Sequence, residues 1–476
     1  MKKVAILSLI AVGAIALTSC GPTVKEYDGT EVQGVTETEI VVGNSAGVTG
    51  ALATVGVPFN FGINAAFYEY NTNGGFNGKT VRLQHYDDGG VAETGAAFTT
   101  KLVEDDKVFA IVGNFGTPTV GANVEYLKEK GIPMVYAATG INVLYQENAQ
   151  GYNKAVMPVQ PIYKTEGRVL FARAVAADGT GFGAKKVGVI YTTDDAGYGM
   201  YEGVVRQAEE AGKDVSVVYS ETSATAGTNH ATAVAKVKDC DVVIICANQN
   251  PFGEILNYMR DGNINKKVIT SYVSANTTTL GDLVTTGSIT ADRPVYTNAW
   301  LDTASATYLY APEATNITGQ YLWTCYKALA VALGLAGLYD YGVAGFTEEY
   351  WSIAEAIANY ALYTVDYDYT STLPFTMSYD SYALAGFIAG RMFVNGLKRV
   401  SDANKELTWK NYIDAMESAP VDVPMGGEID LRNGQRIGIN ELALNTFDLT
   451  TKQLASVHPL TSLDDIWAAV PAGSKK

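Results

Sequence analysis

One stretch constrains the fold more than any other: Phe109 to Gly140, FAIVGNFGTPTVGANVEYLKEKGIPMVYAATG. Phe109 to Val112 is a short apolar run that stops at Gly113, which predicts a buried strand. Asn114 to Thr119 is a loop of Asn, Gly, Thr and Pro. Val120, Val124 and Leu127 then recur at helical spacing with Ala122 and Tyr126, and Gly131-Ile132-Pro133 ends that helix. Met134 to Ala137 predicts a second strand, stopping at Ala138-Thr139-Gly140. Two strands joined by a helix crossover run parallel. Gly116-Thr117 and Ala137-Ala138-Thr139 therefore share one edge of the sheet, the edge at which open α/β sheets bind small ligands. Both loops offer short hydroxyls and free N–H groups and carry no charge. Such an edge suits holding a small polar molecule better than transforming one.

The same alternation runs through the chain. Glu39 to Gly43 predicts a first strand, followed by the loop Asn44 to Gly50, and a helix runs from about Pro58 to Asn71 with Phe59, Ile63, Ala66, Phe67 and Tyr70 on one stripe. Val81 to Tyr86 alternates as a strand, and Val91 to Asp105 is helical. To about Met157 this is a parallel sheet flanked by helices. From Tyr163 the pattern restarts with four further strand segments, at Lys186–Tyr191, Val215–Tyr219, Val242–Cys246 and Lys267–Thr270. Residues 302–370 are rich in tyrosine and alanine and read as a helical insertion. Ser381 to Leu397 and Trp409 to Glu417 are helices, Pro420 to Gly427 is a linker, and Glu428 to Leu449 suggests strands with a hairpin at Asn433-Gly434.

The N-terminus carries Lys2 and Lys3 and then an apolar run, Val4 to Leu17, shorter than the ~20 residues of a membrane span. Leu17-Thr18-Ser19-Cys20 closes it and resembles a bacterial lipobox. Residues 1–19 are therefore expected to be a signal peptide, Cys20 the lipidated residue, and 20–38 a polar tether. A net charge of −16, made more negative by losing the two lysines, disfavours nucleic acid and anionic lipid surfaces as partners. Cys240 and Cys246 flank a strand and stand too far apart to bond.

The chain resembles the type I periplasmic solute-binding proteins of ABC transporters, in particular the leucine/isoleucine/valine-binding branch. The residues that carry the likeness are Gly47 to Ala53, Asn71 to Lys79 with Tyr86-Asp87-Asp88, Gly131-Ile132-Pro133 with Ala137-Ala138-Thr139, Asp194 to Gly203, Phe252 to Leu256 and the Ser381–Leu397 helix. The resemblance implies two Rossmann-like lobes with parallel sheets joined by hinge crossovers. Lobe 1 would comprise 39–157 and 300–422, and lobe 2 would comprise 158–299 and 423–476. It implies a monomer that presents a small-molecule solute to an ABC permease, with no cofactor and no metal. In that family the loops described first hold the ligand, so Gly116, Thr117, Ala137, Ala138 and Thr139 are expected on it, with Tyr198 opposite. Three positions depart from the family pattern. The aromatic of the first loop falls on Val55, the second-lobe aromatic near Asn248 or Gln249, and the acidic partner of a ligand ammonium near Val273, beside Tyr272. Asp194 or Asp195 is the candidate substitute for that acid.

Two other motifs have plainer readings. Gly43-Asn44-Ser45-Ala46-Gly47 matches the GxSxG elbow, but Val48 to Val57 separates Ser45 from a helix, so Ser45 reads as a hydrogen-bonding residue of the cleft and not as a hydrolase nucleophile. Gly179 to Ala184 matches GxGxxA but precedes a strand and is a loop. Asp195, Asn248 and Tyr272 stand at strand ends facing the expected cleft and complete the candidate ligand set. The expectation is a binding protein and not an enzyme, with a ligand-sensing receptor domain as the alternative of the same shape.

Overall fold

The computed structural model describes residues 24–49, 52–177, 179–274, 277–301, 356, 360, 381–423 and 426–476. Cys20 and nearly all of 302–370 lie outside them. The first series of elements is β1 (Glu39–Ala46), α1 (Ala53–Thr72), β2 (Thr80–Asp87), α2 (Ala92–Glu104), β3 (Ile111–Val112), α3 (Thr117–Lys130), β4 (Met134–Val135) and β5 (Val156–Met157). Its strands form a parallel sheet in the order β2-β1-β3-β4-β5.

The second series is α4 (Tyr163–Val175), β6 (Lys186–Thr192), α5 (Asp195–Ala208), β7 (Ser216–Thr222), α6 (Ala231–Lys236), β8 (Val242–Cys246), α7 (Gln249–Asp261), β9 (Lys267–Thr270), α8 (Thr277–Thr285) and β10 (Val295–Ala299). The chain then continues through α9 (Ser381–Asp402), α10 (Trp409–Met416), β11 (Val421–Asp422), β12 (Glu428–Ile429), β13 (Glu441–Phe447), β14 (Leu454–Ser462) and α11 (Leu463–Ala468). The second sheet has the order β14-β13-β10-β9-β8-β6-β7, with β13 and β14 antiparallel. Its centre, Val242-Val243-Ile244-Ile245-Cys246, is wholly buried, as a strand covered by helices on both faces must be.

Each sheet is covered by a helix pair that glycine brings into backbone contact. A Cβ on Gly62 of α1 would strike the Ala383 carbonyl of α9, and one on Gly386 would strike the Phe59 carbonyl. Gly167 of α4 and Gly203 of α5 stand in the same relation to Met200 and Lys164. Arg391 of α9 adds two bonds to the Glu69 carboxylate of α1, at 3.0 and 2.9 Å.

Several expectations shift. Helix α1 begins at Ala53, ahead of Pro58, which lies inside it. Both β3 and β4 are shorter than their apolar runs. Part of the stretch assigned as a linker, Val421-Asp422, pairs with Glu428-Ile429 as a small antiparallel ribbon. Asn433-Gly434 makes no hairpin. Both residues take the left-handed turn conformation, with φ of 58° and 74°. The flanking chain pairs elsewhere, however: Arg436 exchanges bonds with Gln146, and Ala149 N–H donates to the Gly434 carbonyl. The hairpin of this region joins β13 to β14. Cys240 and Cys246 are both free and buried. Among the described residues no helix is long and apolar enough to cross a membrane.

Candidate functional site

Past the ends of β3 and β4 the two loops stay zipped together. Gly113 N–H donates to the Val135 carbonyl at 3.0 Å, Ala138 N–H to that of Asn114 at 2.7 Å, and Phe115 bridges Ala138. Gly116 then turns the chain into α3 with φ 101°, a conformation that glycine adopts at little cost. Thr117 opens the helix, and its hydroxyl lies 2.9 Å from that of Thr139. The Thr139 hydroxyl also accepts the Ile141 N–H at 3.2 Å, and Thr139 N–H donates to the Ala137 carbonyl at 2.9 Å. Gly116, Thr117, Ala137, Ala138 and Thr139 thus form one neutral edge.

A residue that the sequence did not single out completes this edge. The Tyr163 hydroxyl, on the first residue of α4, lies 3.3 Å from the Thr117 hydroxyl and is near Thr139 as well. Burial pushes its phenol up, and its bonds to the two threonines partly offset that. Gly140 makes room for it, since a Cβ there would meet the Tyr163 ring and the Pro161 carbonyl. Three hydroxyls therefore converge where the first sheet meets α4.

Ser45 lies apart from them. It is fully buried, its N–H donates to Asn114 Oδ1, and its hydroxyl donates to Asp88 Oδ2 at 2.6 Å. Burial pushes the Asp88 carboxyl up, and the Ser45 bond works against that.

The second sheet presents α5 and α7 to the same region. Asp194 caps α5: its Oδ1 accepts from Gly197 N–H at 3.1 Å and from the Thr192 hydroxyl at 2.6 Å, and its Oδ2 accepts from Asn248 Nδ2 at 3.0 Å. Asn248 is thereby tied to the cap. Asp195 is exposed, as is Tyr198 at 48%. Tyr198 leans on Tyr191 and Tyr201 in an aromatic cluster. Its neighbour Gly199 packs against Tyr163, which carries α5 to the hydroxyl edge.

Tyr272 lies in the short turn after β9. Its hydroxyl accepts from Gln160 Nε2 at 3.0 Å, and its N–H donates to Glu166 Oε1 at 3.0 Å. The Ser271 hydroxyl donates to Glu166 Oε2 at 2.7 Å. Glu166, one turn along α4 from Tyr163, is wholly buried, and burial pushes its carboxyl up to about 7 against the pull of Ser271 and Tyr272. This is the second residue missing from the sequence-derived set. No group of three or more His, Cys, Asp or Glu side chains able to hold a metal occurs among the described residues.

Two sheets with helices on both faces, a hydroxyl-lined strand edge and a facing second sheet define a two-lobed binding protein of the type I periplasmic fold. Residues 39–332 match the periplasmic binding protein family, and the chain belongs to it. An amino acid binding protein of Pseudomonas aeruginosa is 23% identical over 317 residues, spanning 63% of this chain and 80% of the relative. Solved structures show the same fold. A fatty acid ABC transporter substrate-binding protein from Thermomonospora curvata aligns with a TM-score of 0.63 at 17% identity, over 94% of this chain and 98% of that one. A branched chain amino acid ABC transporter protein from Thermus thermophilus with bound valine gives 0.58 at 13%, over 90% and 97%.

Proposed function

We propose that the chain is an extracytoplasmic, lipid-anchored solute-binding protein that captures an amino acid or related amide for an ABC permease. The observation that carries this reading is the convergence of the Thr117, Thr139 and Tyr163 hydroxyls at a buried, neutral strand edge. Such a set can hold a ligand carboxylate or amide by hydrogen bonds once the second lobe excludes water. The amino acid binding relative and the valine-bound structure support an amino-acid ligand, while the fatty acid relative shows how far ligands vary on this fold. The candidate ligand set is Gly116, Thr117, Ala137, Ala138, Thr139 and Tyr163 on one side, with Asp195, Tyr198, Asn248 and Tyr272 on the other. Ser45 supports the first group from behind.

We take 39–157 with 300–422 as lobe 1 and 158–299 with 423–476 as lobe 2, in a monomer held to the membrane through Cys20. A thermal-shift screen of the standard amino acids, amides, nucleosides and sugars tests the ligand class, because a ligand at 100 times its Kd adds ~2.7 kcal/mol. Stabilisation by sugars or nucleosides alone would overturn the amino-acid reading. Membrane partitioning of Cys20→Ser tests the anchor: the variant is expected in the soluble fraction, and retention would remove it.

A further inference from the structure

Only two acidic side chains are buried among the described residues, Asp88 and Glu166. Asp88 is held in lobe 1 by the Ser45 hydroxyl and the Gly90 N–H. Glu166 is different. It is bonded by the Ser271 hydroxyl and the Tyr272 N–H, yet no Lys, Arg or His among the described residues pairs with it. A carboxylate has about four lone-pair sites, so roughly two remain open here. A buried charge without a counter-ion is costly.

Two further side chains close by carry an oxygen without a partner. Asn298 of β10 is fully buried; its amide is close enough to Glu166 to pull that carboxyl down, while its Oδ1 is left without a partner. The Tyr136 hydroxyl is also buried without a partner. Tyr136 directly precedes Ala137, and its phenol is near that of Tyr272. Its backbone is left-handed, at φ 52°, and its ring is set between Phe59 and Trp300. A bulky residue at positive φ is strained, and such strain concentrates at functional sites.

We infer that Glu166, Asn298 and Tyr136 receive the cationic head of the ligand, a primary ammonium, while the hydroxyl edge holds its other polar end. An ammonium has three donors. The open Glu166 oxygens, Asn298 Oδ1 and the Tyr136 hydroxyl offer three acceptors. The distance suits a small molecule, because Tyr163 and Glu166 are three residues apart on one helix face, with Cβ atoms ~5–6 Å from each other. The inference also accounts for the chain having Val273 where an acidic residue would otherwise face the ammonium, since Glu166 reaches that same turn from α4. Asp195 stays at the exposed rim. The inference rests on the amino-acid reading above.

The test is calorimetric titration of wild type, Glu166→Gln and Tyr136→Phe. The titrants are the standard amino acids and, for each that binds, its des-amino acid (4-methylpentanoate for leucine, 3-methylbutanoate for valine). Glu166→Gln is expected to weaken the amino acid roughly 30-fold or more, and Tyr136→Phe about tenfold, from the loss of hydrogen bonds to a charged group. Des-amino acids should be unaffected by either change. Tyr136→Phe removes a hydroxyl that bonds nothing in the free protein, so it keeps the test decisive if Glu166→Gln fails to fold. Equal weakening of amino acid and des-amino acid, or unchanged amino-acid affinity in a variant of a wild type that binds, overturns this inference alone. A wild type that binds no amino acid overturns the amino-acid reading and this inference together.

Discussion

On the first-lobe side of the cleft, Ala137 and Thr139 are buried, Thr117 is partly so, and the Thr117 and Thr139 hydroxyls already bond each other. On the second-lobe side, Asp195 and Tyr198 are exposed, while the cap residue Asp194, its partner Asn248 and Tyr272 are tied down. One edge is set before ligand arrives; the other has side chains still free to adjust. The difference suggests a division of labour in which lobe 1 fixes orientation and lobe 2 supplies closure. Helix α4 links the two, with Tyr163 on the first edge and Glu166 against the turn that follows β9.

The largest effect should come from that link. Glu166 titrates from an ordinary value of 4.5 up to about 7 in the fold, so the native state holds a proton that the unfolded chain releases. Stability is therefore greatest below pH 4.5 and declines as pH rises to 7, by at most about 3 kcal/mol. Other carboxylates contribute their own slopes, so the quantity to measure is wild type minus Glu166→Gln, by denaturant unfolding across pH 4 to 8. A pH-independent difference would show that the carboxyl titrates alike in both states.

Thr139→Val probes the rigid edge. Its hydroxyl accepts the Ile141 N–H and pairs with Thr117, so the variant should lose about 1–2 kcal/mol of stability and about 1–3 kcal/mol of ligand affinity. Loss of stability without loss of affinity would assign the hydroxyl to the scaffold alone. Ser45→Ala sharpens the boundary of that edge. It leaves the buried Asp88 short of one donor, which costs about 1–2 kcal/mol of folding, while affinity should hold within about twofold. A large affinity loss would place Ser45 on the ligand. Tyr198→Ala should change stability by less than about 0.5 kcal/mol, as exposed substitutions do, while lowering affinity. If it destabilised the fold as much as Thr139→Val, the contrast between the edges would fail.

The strand–helix–strand unit at Phe109–Gly140 was legible because apolar runs, a C-terminal glycine and a proline are local signals, and parallel pairing follows from the crossover. Tyr163 and Glu166 were not. Glu166 meets Ser271 and Tyr272 from 105 and 106 residues away, and nothing in the YKTEGRVL segment announces a contact of that range. Ser45 was placed in the loop after the first strand, but β1 runs on through Ala46, and Ser45 is buried within it. Asn433-Gly434 shows the limit of turn chemistry. The dipeptide adopts the conformation its composition favours, yet the strands it might have joined are bonded to residues 146–149 instead.

The glycine-lined contact of α1 with α9 joins segments more than three hundred residues apart, and Arg391 reaches Glu69 across 322. The second sheet likewise waits for β13 and β14 at its edge. Neither lobe is finished until the last quarter of the chain has been made. Contacts of such separation slow folding, because loop closure precedes the gain from pairing. During synthesis the face of α1 that later meets α9 stays uncovered until α9 has been made. Both lobes stay unfinished until α9, β13 and β14 have been made.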